Sequence, residues 1–525
     1  MRKLTKYAAG AASIGLAAAA GVSGISSAAV ADSHGTFWAG LAPAANQRLG
    51  IQDNRLATGL AENPVAWGAL PLTNPDTTGG ITNYGYNTSN LGPLTQNAHE
   101  AFKTEPDKNA YLVMSGHHYV YQGHEGAPRG YVTRIDLDQA TPAQKVSLIA
   151  DKDAAGNPLP SFDGITWNPF THQLLLTAVA KYPTGGVWAV TLDANGDATT
   201  GVAVRVAALG AGGYEGIQND SEGNIWLVED VGGAAAGANL KGKVPNSYVY
   251  RFRPTDKTNL AAGGTFEALR VHRDGGAPVT AAELAANPAD PFLTALHTYG
   301  KSFNTDWVTV HSGPAGTDPA GFDATAGAAA AGATPFKRPE NGVFRPGTHF
   351  GEFYFTETGD TNALSPLPGA FGGVFVIKQS GPNATTGKLS PVSLGDVEHT
   401  GYDNIQFATA NDLLVVEDAG DALHQQRNAL DSAYSINLRT PRTPTRILAE
   451  GRDSSATYDA LTSPGYNDGD NEVTGMHVSN GDPSTAGILG AQIPTPFADG
   501  WRVFWTQQHG DNVTWEITGA APMRG

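Results

Sequence analysis

The chain has 525 residues, no cysteine, and 50 acidic residues against 33 basic ones, a net charge of −17 at neutral pH. This balance argues against nucleic acids and anionic membranes as partners, because phosphate backbones and acidic lipids select basic surfaces. The lack of cysteine excludes disulfide bonds and thiolate metal sites, and 65 glycines with 33 prolines favour many turns over long helices.

The N-terminus has the layout of a cleavable secretory signal. The basic start MRKLTKY is followed by an apolar run rich in Ala, Gly and Ser, and then by Ala29-Val30-Ala31 before Asp32. We predict that residues 1–31 are a signal peptide and that the protein is secreted, periplasmic or held at the cell surface, without membrane insertion. A membrane anchor is the alternative, but the run lacks the roughly 20 strongly apolar residues that span a bilayer. Cleavage leaves 30 basic residues against 50 acidic ones.

Residues 32–525 are predicted to form one all-β domain, a six-bladed β-propeller with loop insertions. Residues 32–95, rich in Asn, Thr, Gly and Pro, are expected to wrap around a propeller core at about 105–520. Short runs rich in Val, Ile, Tyr, Phe and Trp, bounded by Gly, Asn, Asp and Pro, are typical of antiparallel sheet. The clearest candidate helix is TAAELAANPADPFLTALHTYG, residues 280–300, which two prolines interrupt.

Six units recur when the chain is aligned on an acidic residue, an apolar run, a turn and a second apolar run. The first unit covers residues 109–138. The other five begin, in chain order, with FDGITWN at Asp163, YEGIQND at Glu215, RPENGVF at Glu340, GYDNIQF at Asp403 and EVTGMHV at Glu472. Such a unit cannot bury its own apolar faces, so radial stacking into six blades is the economical arrangement. A two-sheet sandwich and several small β domains are the alternatives.

The acidic residues of these units are predicted to form a metal site. Equivalent points in successive blades lie on one ring around the central channel. A second set of acids follows the next strand, 14 residues after the first in two units. Clustered carboxylates are costly unless cations neutralise them, and oxygen ligands suit Ca²⁺; the alternative is a set of structural acids at strand ends. The predicted metal ligands are Asp163, Glu215, Glu340, Asp403, Glu472, Glu229 and Glu417.

Arg338 is the predicted catalytic residue. It lies two residues before Glu340, so on a strand both side chains can face the channel. A guanidinium fork beside a metal cluster is what a phosphate-like substrate needs. The alternative is a salt bridge from Arg338 to one of the acids.

At KRPENG, YEGIQNDSEGNIWLVED, GYDNIQFATANDLLVVED, EVTGMHVSNG and VFWTQQHGD the sequence resembles the PhoX-type alkaline phosphatases, over roughly residues 105–520. The resemblance implies a six-bladed propeller with a calcium-and-iron cluster in its channel, which hydrolyses phosphate monoesters outside the bacterial cell. By position it implies a phosphate-contacting Arg338 together with these acids: Glu215, Glu340, Asp403 and Glu472 as metal ligands, Glu229 and Glu417 as further acidic partners.

The chain departs from the family at the iron site. There the family uses a cysteine in a segment that ends in a Cys-Glu-Glu run, and the corresponding stretch here is SFDGITWNPFTHQLLLTAVA. Asp163 stands near the place of the cysteine, and Ala178-Val179-Ala180 stand where the later acids would be. Calcium is therefore expected, whereas Fe³⁺ bound as in the family is not.

The leading hypothesis is an exported, Ca²⁺-dependent phosphatase that acts on small phosphate esters, and we expect it to be a monomer. A second hypothesis is a secreted propeller that keeps Ca²⁺ for stability and serves in binding or as a scaffold, which the missing Cys-Glu-Glu run favours. A third is a propeller hydrolase of different chemistry, such as a lactonase, which needs a central Ca²⁺ but no phosphate-binding arginine.

Overall fold

The structure, a computed structural model, describes residues 40–48, 52–85, 104–126, 129–237, 241–314, 316, 318–451, 472–508 and 512–519. The predicted signal peptide at residues 1–31 lies outside these ranges. Within them, no helix combines the length and the apolar character needed to cross a membrane.

Strands dominate the described residues, as the apolar runs bounded by Gly, Asn and Asp predict. The first twelve are β1 (Arg55–Leu56), β2 (Leu60–Ala66), β3 (Pro71–Asp76), β4 (Ile81–Asn83), β5 (Pro106–Met114), β6 (His117–His124), β7 (Val132–Asp136), β8 (Val146–Ala150), β9 (Phe162–Asn168), β10 (Gln173–Ala178), β11 (Gly186–Thr191) and β12 (Val204–Arg205).

The remaining strands begin at Tyr214. They are β13 (Tyr214–Asn219), β14 (Ile225–Glu229), β15 (Val249–Pro254), β16 (Gly264–Val271), β17 (Phe303–Gly313), β18 (Pro339–Phe344), β19 (Glu352–Glu357), β20 (Gly373–Gln379), β21 (Thr386–Leu394), β22 (Tyr402–Phe407), β23 (Asp412–Glu417), β24 (Ser432–Asn437), β25 (Thr445–Ala449), β26 (Glu472–Ser479), β27 (Arg502–Gln508) and β28 (Val513–Gly519).

In the described part of the chain, four short α-helices lie between the strands. They are α1 (Ala281–Ala286), α2 (Pro291–Leu296), α3 (Ala324–Ala330) and α4 (Gly420–Arg427). The helix predicted at 280–300 is confirmed as two helices with a break between them. Thr280 and Glu283 form a capping box at the start of α1, and Asp290 caps α2 just before Pro291.

Hydrogen bonds join the strands into five sheets, so the fold is all-β as predicted. The strand orders are β1-β25-β24-β23-β22, β12-β11-β10-β9, β13-β14-β15-β16-β17-β21-β20-β19-β18, β2-β28-β27-β26 and β4-β3-β8-β7-β6-β5. The described residues do not form six separate four-stranded sheets, the simplest form of the predicted propeller, because β17 pairs with both β16 and β21 and joins their strands into one sheet of nine.

The sheets have a propeller-like arrangement around six strands that we call the inner strands: β5, β9, β13, β18, β22 and β26. Each inner strand contacts the next one along the chain, and β26 contacts β5, so the six form a closed ring. Each lies at the end of its sheet order and pairs with the following strand through an antiparallel hairpin. Residues at equivalent places on the inner strands are thereby brought together.

Aromatic side chains fill the space between the two ends of the nine-stranded sheet. Trp226 on β14 packs against Phe344 on β18 and Phe353 on β19, with ring centroids 5.1 Å and 4.9 Å apart. All three are buried. Burying such large apolar rings is a main source of stability in a chain that has no disulfide bonds.

The N-terminal segment contributes strands to three of the sheets. β1 pairs with β25, β2 pairs with β28, and β3 meets β8 in parallel at Leu72 and Val146. The pairing of β2 with β28 runs from Leu60 opposite Gly519 to Ala66 opposite Thr514. β2 and the last described strand are therefore held in one sheet.

Candidate metal centre

Every inner strand has a β-bulge close to its start. In five of them the bulge holds an acidic residue, in chain order Asp107, Asp163, Glu215, Glu340 and Asp403. A bulge leaves a residue outside the regular pairing and re-aims its side chain. Because the inner strands form a closed ring, these acids come together where the strands meet.

The five bulge acids form a ring of carboxyl groups, and Asp107 is the member of this ring that the sequence alignment of the repeats does not include. The predicted first unit begins at Asn109, two residues too late to include it. The sequence does contain a pattern that indicates Asp107, because Pro106-Asp107 repeats the proline-acid pair Pro339-Glu340.

The sixth inner strand departs from this pattern. The sequence alignment places Glu472 at the position of the other ring acids, but the residue at that position is Gly475, three residues later. The bulge of this strand holds Gly475 and Met476, whereas Glu472 starts the strand opposite Gln508. Gly475 has a φ of +65°, and a Cβ there would lie 2.6 Å from Asn109 Nδ2, so the position excludes a larger side chain. The Glu472 carboxyl nevertheless interacts electrostatically with Asp418 and Asp403.

Six carboxyl groups form two triads, each with one oxygen per residue within 4.8 Å of the others. The first triad is Asp107, Glu125 and Asp163, and the second is Glu215, Asp230 and Glu340. The side chains of Asp163 and Glu215 also contact each other, so the triads are adjacent. Glu125 and Asp230 are not among the predicted ligands; each directly follows the second strand of its hairpin, β6 and β14.

Three oxygens in the triads fit a hard cation. Asp163 Oδ1, Glu215 Oε2 and Asp230 Oδ1 are buried and have no hydrogen-bond partner. A buried carboxylate oxygen without a donor is unfavourable. A divalent cation such as Ca²⁺ can satisfy several such oxygens at once. The all-carboxylate ligand set suits Ca²⁺ and offers no thiolate for iron bound as in the family that the sequence resembles.

The electrostatics of the ring also call for positive charge. Burial, and next the Asp163 carboxylate, raise the pKa of Glu215 well above its usual value. Burial and the Asp107 carboxylate do the same to the pKa of Asp163, and burial raises the pKa of Asp107 to about 6. Burial and the Asp230 carboxylate raise the pKa of Glu340 in the same way. The raised pKa values of Asp163, Glu215 and Glu340 favour the protonated carboxyl groups, and a bound cation would favour the charged forms.

Arg338 joins the second triad. Its Nε donates to Asp230 Oδ2 at 2.9 Å, and its Nη2 lies 2.8 Å from the same oxygen and 3.3 Å from Glu340 Oε1. The predicted proximity of Arg338 and Glu340 is confirmed, and so is the predicted alternative of a salt bridge. Thr358 donates a further hydrogen bond of 2.6 Å to Glu340.

The backbone of Arg338 is left-handed, with a φ of +58°. Residues with a side chain adopt this conformation rarely, and in folded proteins such strain concentrates at functional sites. A hydrogen bond from Thr358 N to Arg338 O, 2.8 Å long, holds the turn. The guanidinium is thus fixed by its own backbone as well as by its acidic partners.

Asp403 lies on the ring but its oxygens are already engaged by the protein. Asn341 Nδ2 donates to Oδ1 at 3.2 Å and Asn404 Nδ2 donates to Oδ2 at 2.7 Å, while the Thr474 hydroxyl lies 3.2 Å from Oδ2 and 2.6 Å from Asp107 Oδ1. Burial raises the pKa of Asp403 to about 7. Lys108, also buried, interacts electrostatically with this carboxylate.

The predicted second set of acids lies outside the triads. Glu229 accepts hydrogen bonds from Tyr250, Tyr248 N and Thr325. Glu417 pairs with Arg427 at 3.1 Å and accepts from Thr400 N.

Glu229 and Glu417 each end the second strand of a hairpin, and their hydrogen bonds stabilise the neighbouring segments. The residues that follow them, Asp230 and Asp418, interact with the ring instead. In a strand, successive side chains alternate in direction, which explains the shift by one residue.

Comparison with known proteins identifies a family region and a similar fold. The model of the family described as alkaline phosphatase PhoX matches residues 242–489. The structure of PhoX from Pseudomonas fluorescens in complex with vanadate, a transition state analogue, is 12% identical with a TM-score of 0.55, and the similarity covers 92% of this chain and 98% of that one. A gluconolactonase from Xanthomonas campestris is 9% identical over 91% of this chain and 98% of its own, with a TM-score of 0.40. No curated protein matches the chain by sequence.

Proposed function

We propose that this protein belongs to the PhoX alkaline phosphatase family and is an exported, metal-dependent phosphatase, because the model of that family matches residues 242–489. Its substrates are small phosphate esters, which it hydrolyses beside the two carboxylate triads. We propose Ca²⁺ as the metal, because the triads offer only carboxylate oxygens.

The observation that carries this proposal is the position of Arg338 against the second triad. Its side chain is 24% exposed, whereas that of Glu340 is 7% exposed. The guanidinium therefore lies at the accessible face of a buried cluster of carboxylates. A fork of N–H donors beside bound cations is suited to the oxygens of a phosphate group.

Each side chain has a role that follows from its contacts. Asp163, Glu215, Asp230 and Glu340 hold the cations, with Asp107 and Glu125 completing the first triad. When bound, divalent cations polarise the phosphoryl group and offset its charge. Arg338 binds the equatorial oxygens of the substrate and stabilises their charge during transfer. Asp230 positions Arg338 through the 2.9 Å hydrogen bond to its Nε.

We also propose six blades, with the nine-stranded sheet counted as two. On this reading β13 to β16 form one blade, β18 to β21 the next, and β17 connects them. The six inner strands and their six bulges support that count. The N-terminal segment wraps the propeller by adding strands to three sheets, and the protein is secreted as a monomer through cleavage of residues 1–31.

The test is hydrolysis of p-nitrophenyl phosphate by the purified mature protein, with and without the Ca²⁺ chelator EGTA. We expect Ca²⁺-dependent release of phosphate that EGTA abolishes. Arg338→Ala is expected to lower kcat/KM by about 100-fold to 1000-fold, the usual loss when a charge-stabilising donor is removed.

Arg345→Ala is the matched control. Arg345 follows β18 and pairs with Glu352 at 3.1 Å, outside the triads. It should retain the wild-type kcat/KM. Ca²⁺-loaded protein that hydrolyses none of a panel of phosphate mono- and diesters would overturn the proposal, and so would equal activities of the two arginine variants.

A further inference from the structure

Lys108 is a buried cation within the ring of acids. It occupies the bulge of β5 directly after Asp107 and has no exposed surface. Its Nζ donates a hydrogen bond of 2.6 Å to Asn341 Oδ1. Its strongest electrostatic interactions are with Asp163, then Asp403, then Asp107. A buried ammonium group is unfavourable unless nearby negative charge compensates it, so the carboxylates hold Lys108 in place.

The two sides of the ring differ in how their oxygens are satisfied. Beside Lys108, both oxygens of Asp403 accept hydrogen bonds from the protein, and Asn341 bridges the two residues by accepting from Lys108 and donating to Asp403. In the triads, by contrast, Asp163 Oδ1 and Glu215 Oε2 are buried without a partner. The need for an added cation is therefore concentrated at the triads.

We propose that Lys108 is a fixed cation of the ring, which takes the place of a divalent metal ion beside Asp403 and confines bound metal to the two triads. Asp403 then acts as a positioning residue for Lys108 and Asn341, and not as the metal ligand that the family resemblance implies. This inference rests on the metal-dependent function proposed above. Its readout is ion content, which is independent of phosphatase turnover.

The test compares the calcium content of the wild type, Lys108→Met and the double variant Lys108→Met/Asp403→Asn. Each full-length mature protein is equilibrated with Ca²⁺, dialysed and analysed by inductively coupled plasma mass spectrometry, with folding checked by circular dichroism. Removing the ammonium takes compensating charge from Asp163, Asp403 and Asp107, and of these only Asp403 lies outside the triads, so Lys108→Met should bind about one additional Ca²⁺ per chain, beside Asp403. The double variant should return to the wild-type content.

Lys337→Met is the matched control for loss of a buried lysine. Lys337 pairs with Asp360 at 2.7 Å, and both side chains are almost fully buried. Its calcium content should equal that of the wild type.

Equal calcium content in Lys108→Met and the wild type overturns the inference. A Lys108→Met variant that fails to fold at every Ca²⁺ concentration also overturns it, because a metal ion then cannot replace the ammonium. Folding that requires added Ca²⁺ in Lys108→Met alone supports it. If no variant hydrolyses phosphate esters, the proposed function fails while the ion contents still decide the role of Lys108.

Discussion

Arg338 Nη2 and Asp230 Oδ2 lie 2.8 Å apart, although 108 residues separate them in the chain. The pair links the start of β18 to the residue after β14, on two neighbouring inner hairpins. Asp230 thus serves two groups, the guanidinium and the second triad.

Asp230→Asn should therefore affect both metal binding and catalysis. The amide keeps an oxygen that accepts from Arg338 but removes one negative charge from the triad, so we expect the Kd for Ca²⁺ to rise about tenfold. Isothermal titration calorimetry measures this value, and kcat/KM for p-nitrophenyl phosphate should fall with it at limiting Ca²⁺. An unchanged Kd would exclude Asp230 from the ligand set.

Glu215→Gln should stabilise the metal-free protein and weaken metal binding. Burial and the neighbouring Asp163 carboxylate raise the pKa of Glu215, so without cations this carboxyl must take up a proton when the protein folds at neutral pH, a cost that glutamine does not have. We expect the free energy of unfolding in EGTA to rise by about 1–3 kcal/mol. Differential scanning calorimetry in EGTA and in excess Ca²⁺ should show the order of wild type and variant reversed. Glu352→Gln, outside the triads, should show no reversal.

Arg427→Met tests the structural role of Glu417. The guanidinium of Arg427 contacts both Glu417 and Asp431, and all three side chains are nearly fully buried. Removing it leaves two buried carboxylates without their cation, which should cost about 3–5 kcal/mol of unfolding free energy in urea denaturation. Calcium content per folded chain should not change. A fall in calcium content without loss of stability would instead indicate that Glu417 is a metal ligand.

Gly475→Ala tests the bulge that holds no acid. The substitution combines a φ of +65° with a Cβ placed 2.6 Å from Asn109 Nδ2, and we expect a loss of about 2–3 kcal/mol in unfolding free energy. Gly300→Ala is the control, because Gly300 has a φ of +83° and no atom within 4 Å of an added Cβ. It should lose only about 1 kcal/mol, the backbone contribution. If Gly475→Ala and Gly300→Ala lose the same unfolding free energy, the contact with Asn109 does not contribute to the loss.

Much of the fold can be predicted from the sequence because each inner strand carries its own local signal. FDGITWN, YEGIQND and GYDNIQF each place an acid before an apolar run, and all three form inner strands. The sheet boundaries are less predictable. They depend on β17, whose pairing with β21 is a contact between distant segments and has no local pattern.

A ring acid can be predicted from the sequence where it lies in a bulge whose local sequence resembles that of the other bulges. Asp163, Glu215, Glu340 and Asp403 satisfy this condition. Glu125 and Asp230 do not, because their places depend on how a hairpin returns to the ring. Glu229 illustrates the limit, since a one-residue step along a strand turns a side chain away from the ring.

The pairing of β2 with β28 has a consequence for how the protein folds. The strands begin at Leu60 and Val513, so the sheet that carries Glu472 is completed only when nearly the whole polypeptide is available. Closing so long a loop is entropically unfavourable and slow compared with forming hairpins. We therefore expect the carboxylate ring to assemble last, after most of its hairpins have formed. A C-terminally truncated product that lacks β28 would retain every acid of the ring and still lack the strand that pairs with β2.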